Sequence, residues 1–234
     1  MRLTIDESVR ALFPEVVVGI AASRGLENEG EDPELTAALR KAEAGLVARL
    51  AGTAPSEHPR IAVWREAYRR FGAKPKDHPS SVENLVRRVL KGWRVPHVNR
   101  VVDIYNAISL EALLPAGAED LDAIEGDITL TRAGEDEAAV RLLGEAEARP
   151  PKPGEVIYRD RKGAICRRWN WKEADRTKLT AQTRRALIVV EGLPPIRREE
   201  VASAVEEVAR RIRDRCGGEV ESAILDSNEP SFAV

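Results

Sequence analysis

The stretch Val101-Val102-Asp103-Ile104-Tyr105-Asn106, running on through Leu113-Leu114-Pro115 to Leu121-Asp122-Ala123-Ile124-Glu125-Gly126-Asp127-Ile128, decides the reading of this chain. Its apolar residues are interrupted by polar ones at fixed places. Asn99, Asp103 and Asn106 fall at i, i+4 and i+7, which is one face of a helix. Two Asn and one Asp on a shared face bond to something specific, either a neighbouring loop or a ligand. A turn containing Pro and Gly then ends the run, and a short strand follows.

Outward from this segment, the chain alternates between strand and helix patterns without regular βαβ order. The β-branched run at 15–22 reads as a buried strand. Pro33 fits the first turn of a helix over 33–50, with Leu35, Leu39, Leu46 and Leu50 as its apolar stripe. Residues 61–71 form a second helix with Trp64, Tyr68 and Phe71 on its core face. Ser80-Ser81 followed by Glu83 marks a helix start that runs to Lys91-Gly92. Pro96 introduces the helix of the deciding segment, expected over 97–113. A strand follows at 127–132 and a surface excursion at 134–153. Residues 155–160 and 163–168 form a hairpin about Asp160-Arg161-Lys162-Gly163. The last elements are an apolar strand over 187–191, an amphipathic helix over 198–216 stopped by Gly217-Gly218, and a strand over 220–225. The pattern predicts an α+β fold with a mixed, sandwich-like sheet core flanked by helices. The expected division is a principal domain over 1–195, with the helix and strand of 196–234 packed on it.

Charge is strongly blocked although the net value is -2. Residues 60–100 hold 11 Lys and Arg against 3 Asp and Glu, residues 101–150 hold 3 against 12, and residues 151–185 hold 11 against 4. Basic blocks can converge on a phosphate-binding face or can lie apart and only keep the protein soluble. Cys166 and Cys216 are too few for a disulfide framework or a Cys-based zinc site. His58, His78 and His97 are scattered, so no metal or cofactor is expected. No GxSxG elbow or GxxxxGK phosphate loop is present. The acidic start Met1-Arg2-Leu3-Thr4-Ile5-Asp6-Glu7 does not read as a signal peptide, and no apolar run of about 18 residues suits a membrane span. The expectation is a cytoplasmic protein without membrane contact.

Two further features carry chemistry. Arg167-Arg168-Trp169-Asn170-Trp171-Lys172 holds two of the four Trp beside two Arg. Such planes and guanidinium groups suit base stacking and phosphate contact, unless one Trp packs inward and the rest caps a hairpin. Glu191 ends an apolar strand. It is either a surface residue or a pocket carboxylate that holds an amino group or orients water.

Together these residues resemble the B3/B4 domain of the phenylalanyl-tRNA synthetase β-subunit, in a freestanding form. The synthetase segment reads roughly VVDxTNYVLLELGQPxHAFDxDxIxG. Val102, Asp103, Asn106, Leu110, Glu111, Pro115, Asp120, Asp122, Ile124 and Gly126 coincide with it in register. Gly154-Glu155-Val156, Arg167 to Trp171 and Val190-Glu191-Gly192 resemble the freestanding members. The resemblance implies a protein that binds tRNA and hydrolyses mischarged aminoacyl-tRNA in trans. The alternative it leaves is a non-catalytic module that binds RNA or a free amino acid. It implies Glu191 as the catalytic residue, and Asn99, Asp103, Asn106, Gly117, Asn170 and Trp171 around the substrate. Arg87, Arg88, Lys91, Arg94, Arg167, Arg168 and Trp169 would contact tRNA. The synthetase's pocket histidine aligns with Gly117, and its later threonine-bearing segment has no counterpart after Pro195. Converting Glu191 to Ala is expected to abolish hydrolysis with little effect on folding.

Overall fold

The computed structural model describes residues 1–234. In chain order its strands are β1 (Arg2–Ile5), β2 (Val17–Arg24), β3 (Ala116–Asp120), β4 (Ile128–Arg132), β5 (Val140–Arg141), β6 (Ala148–Arg149), β7 (Val156–Asp160), β8 (Gly163–Arg167), β9 (Lys172–Glu173), β10 (Arg185–Gly192), β11 (Glu219–Leu225) and β12 (Ser231–Ala233). The helices are α1 (Glu7–Leu12), α2 (Pro33–Leu50), α3 (Pro59–Arg70), α4 (Ser81–Leu90), α5 (Arg100–Ala112) and α6 (Arg198–Cys216).

Two sheets face each other. One has the order β12-β1-β4-β7-β8-β9 and the other β11-β2-β10-β3; β5 and β6 form a separate ribbon. Only the β1–β4 pair in these sheets is parallel. The α+β class expected from the pattern is the class observed. Residues 196–234 are woven into both sheets, since β11 pairs with β2 and β12 with β1.

Alternation along β10 explains where the site lies. Ala186, Ile188 and Val190 point one way and pack with Val101, Ile104 and Ile108 of α5 and Val205, Val208 and Ile212 of α6. Leu187, on the other face, packs with Leu3, Ile128, Val156 and Ile165 of the opposite sheet. Residue period two puts Val189 and Glu191 on that same inter-sheet side. Trp64 and Tyr68 of α3 and Val82 and Val86 of α4 join this inter-sheet core. Gly192 lets α6 approach closely, since a Cβ there would lie 2.6 Å from Val201 Cγ2.

Local chemistry sets the helix starts. Asp32 accepts from the backbone of Glu34 and Leu35 ahead of α2, and Ser80 accepts from Glu83 ahead of α4. Asn99 caps α5 by accepting from Val102 N at 3.0 Å. The deciding helix therefore begins at Arg100 instead of 97, because its cap residue keeps an extended backbone. β1, α1 and β3 are elements that the pattern did not suggest.

Candidate functional site

A cavity of about 310 Å³ lies between the sheets and opens beside α4 and the segment after it. Its walls are Tyr158, Ile165 and Cys166 of one sheet and Gly117, Glu119, Leu187, Val189 and Glu191 of the other. This size falls in the range of small-molecule sites.

Glu191 is 1% exposed. Its Oε1 accepts from Tyr158 Oη and Trp169 Nε1, each at 2.6 Å, and its Oε2 accepts from Asn170 Nδ2 at 2.7 Å. Three donors leave one strong acceptor position on Oε2, since a carboxylate offers about four lone-pair directions. Burial pushes the Glu191 carboxyl up to about 6, although all three donors pull the other way. A carboxylate held near that value can take a proton at neutral pH, which general-base work requires.

The donors come from an unusual turn. Arg167 pairs with Lys172, so residues 168–171 close a tight connection between β8 and β9. Arg168 and Trp169 both adopt left-handed backbone, with φ of 47° and 65°. Such conformations cost roughly 1–3 kcal/mol each for non-glycine residues. They aim Trp169 Nε1 and Asn170 Nδ2 at the same carboxylate. Asn170 Oδ1 in turn accepts from Tyr68 Oη at 2.9 Å, so one donor and one acceptor of this amide are committed to positioning Glu191, and a second N–H remains.

Two acids that the sequence did not single out share the cavity. Glu119 of β3 and Glu173 of β9 both line it. Burial, and then Glu173 itself, push Glu119 well above the carboxylate range. Burial pushes Glu173 up to about 7. Burial and these carboxylates also push the Cys166 thiol well up, so it is no thiolate nucleophile. A Cβ on Gly117 would lie 3.0 Å from Glu173 Oε1, so the glycine leaves room for that carboxylate.

These acids set a pH dependence of stability. Glu173 and Glu191 hold their protons more tightly folded than unfolded. Their contribution is complete below the unfolded value of about 4.3 and is lost as pH rises through about 6 and 7. Glu207 acts oppositely, since the Arg210 and Arg211 guanidinium groups hold it at about 2, and its contribution is lost as pH falls toward that value. The urea midpoint is expected to decline from about pH 5 to about pH 8, and Glu173→Gln should flatten the decline. An equally steep decline in that variant would remove Glu173 from the effect.

The residues expected from sequence fall into three groups. Asn106, Gly117, Asn170, Trp171 and Glu191 line the cavity. Asn99 and Asp103 do not. Asn99 caps α5, and Asp103 Oδ2 lies 2.6 Å from His97 Nδ1, fixing the entry to the helix. Among the basic set, Arg87, Arg88, Lys91 and Arg94 are exposed on and after α4. Arg167 and Arg168 are 5% and 8% exposed, and Trp169 is fully buried against Trp64 and Phe13. These three therefore build the interior and offer no surface for stacking on a base. Arg167 is held by Glu155, and Arg168 stacks on Trp171 with its guanidinium carbon 4.3 Å from the ring centre. The exposed aromatic is Trp93, at 62%, beneath Arg88 at 5.2 Å. Its place directly after the α4 basic run, next to a Gly, was the available sequence signal.

Residues 63–217 match the family model described as the B3/4 domain. The match spans more than half of the 234 residues, and the chain belongs to the B3/4 domain family. A search of curated proteins finds no match. Among solved structures, the chain is similar to an N-terminal fragment of the phenylalanyl-tRNA synthetase β-subunit from Pyrococcus horikoshii. Identity is 14% and the TM-score 0.47, over 93% of this chain and 49% of that one. The chain thus spans about half the length of that fragment. No helix is long and apolar enough to cross a membrane.

Proposed function

We propose that this protein binds tRNA and hydrolyses the ester of a mischarged aminoacyl-tRNA in trans. The observation that carries the reading is Glu191: a buried carboxylate, fixed by three donors, lining a cavity that opens beside Arg88 of α4. In this reading the aminoacyl group enters the cavity. Water adds to the ester carbonyl, the bond to the terminal ribose oxygen breaks, and that oxygen leaves with a proton. The open acceptor position of Glu191 Oε2 holds the α-ammonium or the attacking water. Asn106 makes no protein hydrogen bond through its side chain and is free to bond the ligand.

Arg87, Arg88, Lys91 and Arg94 supply phosphate contacts, and Trp93 a plane for the terminal base. Trp93→Ala is expected to weaken tRNA binding by about 5- to 150-fold, as for the loss of one stacked base, with Trp93→Phe recovering most of it. Filter binding over a salt series checks this, and unchanged affinity in the alanine variant would remove Trp93 from the interface.

A binding module without chemistry is the second reading. Gly117 favours it, because the synthetase's pocket histidine aligns there. The two separate in one experiment, in which the chain is incubated with a panel of aminoacyl-tRNAs, tyrosine on phenylalanine tRNA included. Ester loss from one or a few species supports the hydrolase. Binding with no ester loss supports the module.

A further inference from the structure

The far wall of the cavity carries acid that the chain does not neutralise. Glu119 is 8% exposed, and its Oε2 is a buried atom without a partner. Glu173 receives only a long contact from Ala118 N, at 3.4 Å to Oε1. Tyr105, which also lines the cavity, leaves its hydroxyl unpaired. The nearby cations are engaged elsewhere. Arg176 grips Asp160 at 2.6 and 2.9 Å and also donates to the carbonyls of Ala123 and Gly163. Lys172 Nζ donates to Glu145 at 3.0 Å, and Arg88 lies over Trp93 at the mouth. Glu191 differs in having its donors supplied internally.

Burying an acid pair without a counter-charge is costly, and such groups are ordinarily paired. The cost is removed when a ligand brings the cation. We propose that Glu119 and Glu173 form a second acidic subsite, which releases its protons to solvent as it takes the ammonium or guanidinium of a basic amino-acid side chain. The inference rests on the reading that the cavity holds an aminoacyl group. The α-carbon end then lies toward Glu191, and the apolar stem crosses Leu187, Val189 and Ile165 between the two acidic ends. An aromatic side chain would fill the volume and leave both acids unpaired.

Amino-acid amides test the subsite without requiring hydrolysis, since an amide keeps the α-ammonium and, like the ester, has no carboxylate charge. Calorimetric titration of the full chain with lysinamide and argininamide, against norleucinamide and tyrosinamide, reads the preference. At least one basic amide is expected to bind tenfold or more tightly than norleucinamide. Glu119→Gln and Glu173→Gln, nearly isosteric and checked for folding by circular dichroism, are each expected to erase most of that ratio. Equal or tighter binding of norleucinamide or tyrosinamide overturns the proposal. So does a preference that survives in both variants, and so does the failure of every amide to bind. Ester loss from the aminoacyl-tRNA panel is scored separately. Basic amides binding with no ester loss would sink the hydrolase and leave the subsite. Loss confined to aromatic or aliphatic esters would do the reverse.

Discussion

Glu191→Gln is expected to fold and to lose ester hydrolysis by about 100- to 10,000-fold, the usual worth of a general base. Glu191→Ala is expected to lose the fold's stability as well. The alanine variant strands Tyr158 Oη, Trp169 Nε1 and Asn170 Nδ2 in a dry interior. Each unsatisfied donor costs about 1–3 kcal/mol, against a total stability of about 5–15 kcal/mol for an ordinary domain. Glutamine avoids this. Its amide oxygen keeps the Tyr158 and Trp169 donors, and its amide nitrogen meets Asn170. A flip of the Asn170 amide then presents Oδ1 to that nitrogen and Nδ2 to the Tyr68 hydroxyl, which can accept as well as donate. Only the donor role of Tyr68 is lost. The sequence-based expectation that alanine would leave folding intact is thereby revised, since it treated the carboxylate as free of internal partners. Thermal unfolding and ester loss, measured on both variants, separate the two effects. A glutamine variant with the full rate would take Glu191 out of the chemistry.

The parts legible in the sequence are those written in local pattern. α2, α4 and α6 announce themselves through caps and apolar stripes, and β10 through an unbroken apolar run. Elements whose stability is non-local were invisible. β1 is four residues long and gains its place by pairing with β4 and β12, far along the chain. β3 begins Ala-Gly-Ala, a poor strand former, and is extended because β10 holds it. The site shows the same divide. Glu191 was legible as an acid closing a buried strand. Glu119 and Glu173 lie in segments of opposite net charge, and only the sheet pairing brings them to one cavity. The basic block at 167–168 was misread as surface for a related reason. Charge counts place Arg outside by default, whereas Glu155, twelve residues earlier on the preceding strand's approach, draws both Arg inward. Conversely, the lone Trp93 is the exposed ring, at 62%, while the paired Trp169 is buried against Trp64, because burial follows tertiary packing and not local clustering of Trp with Arg.

Glu155→Ala is expected to destabilise the protein by about 3–5 kcal/mol, the penalty for breaking a buried ion pair from one side. Glu155 is the hub of the turn. Its Oε1 accepts from Arg167 Nε at 2.9 Å and Arg168 N at 3.1 Å, and its Oε2 accepts from Arg167 Nη2 at 2.8 Å and Lys152 N at 3.3 Å. Burial raises its proton affinity, but the Arg167 bonds and charge prevail and hold the carboxyl below its ordinary value. Its stabilisation is therefore present at neutral pH and is lost as pH falls through that lowered value. Removing the carboxylate leaves two guanidinium groups with little else in reach. Arg167 Nη1 has only a 3.5 Å contact to the Arg149 carbonyl, and Arg168 Nη1 is already without a partner. The expected loss is thus larger for Glu155→Ala than for a double variant, Glu155→Leu with Arg167→Met, which removes the charge from both sides. The same bonds hold the left-handed turn that aims Trp169 and Asn170 at Glu191, so Glu155 is a positioning residue for the site. Glu155→Gln, which keeps the size and two acceptor directions, is expected to lower the catalysed ester loss more than tRNA binding. Urea unfolding at pH 7 gives the stability order, and parallel assays of binding and ester loss give the split. A double variant less stable than Glu155→Ala, or tRNA binding that falls as far as ester loss in Glu155→Gln, would show that the hub acts as general scaffold and not through the turn.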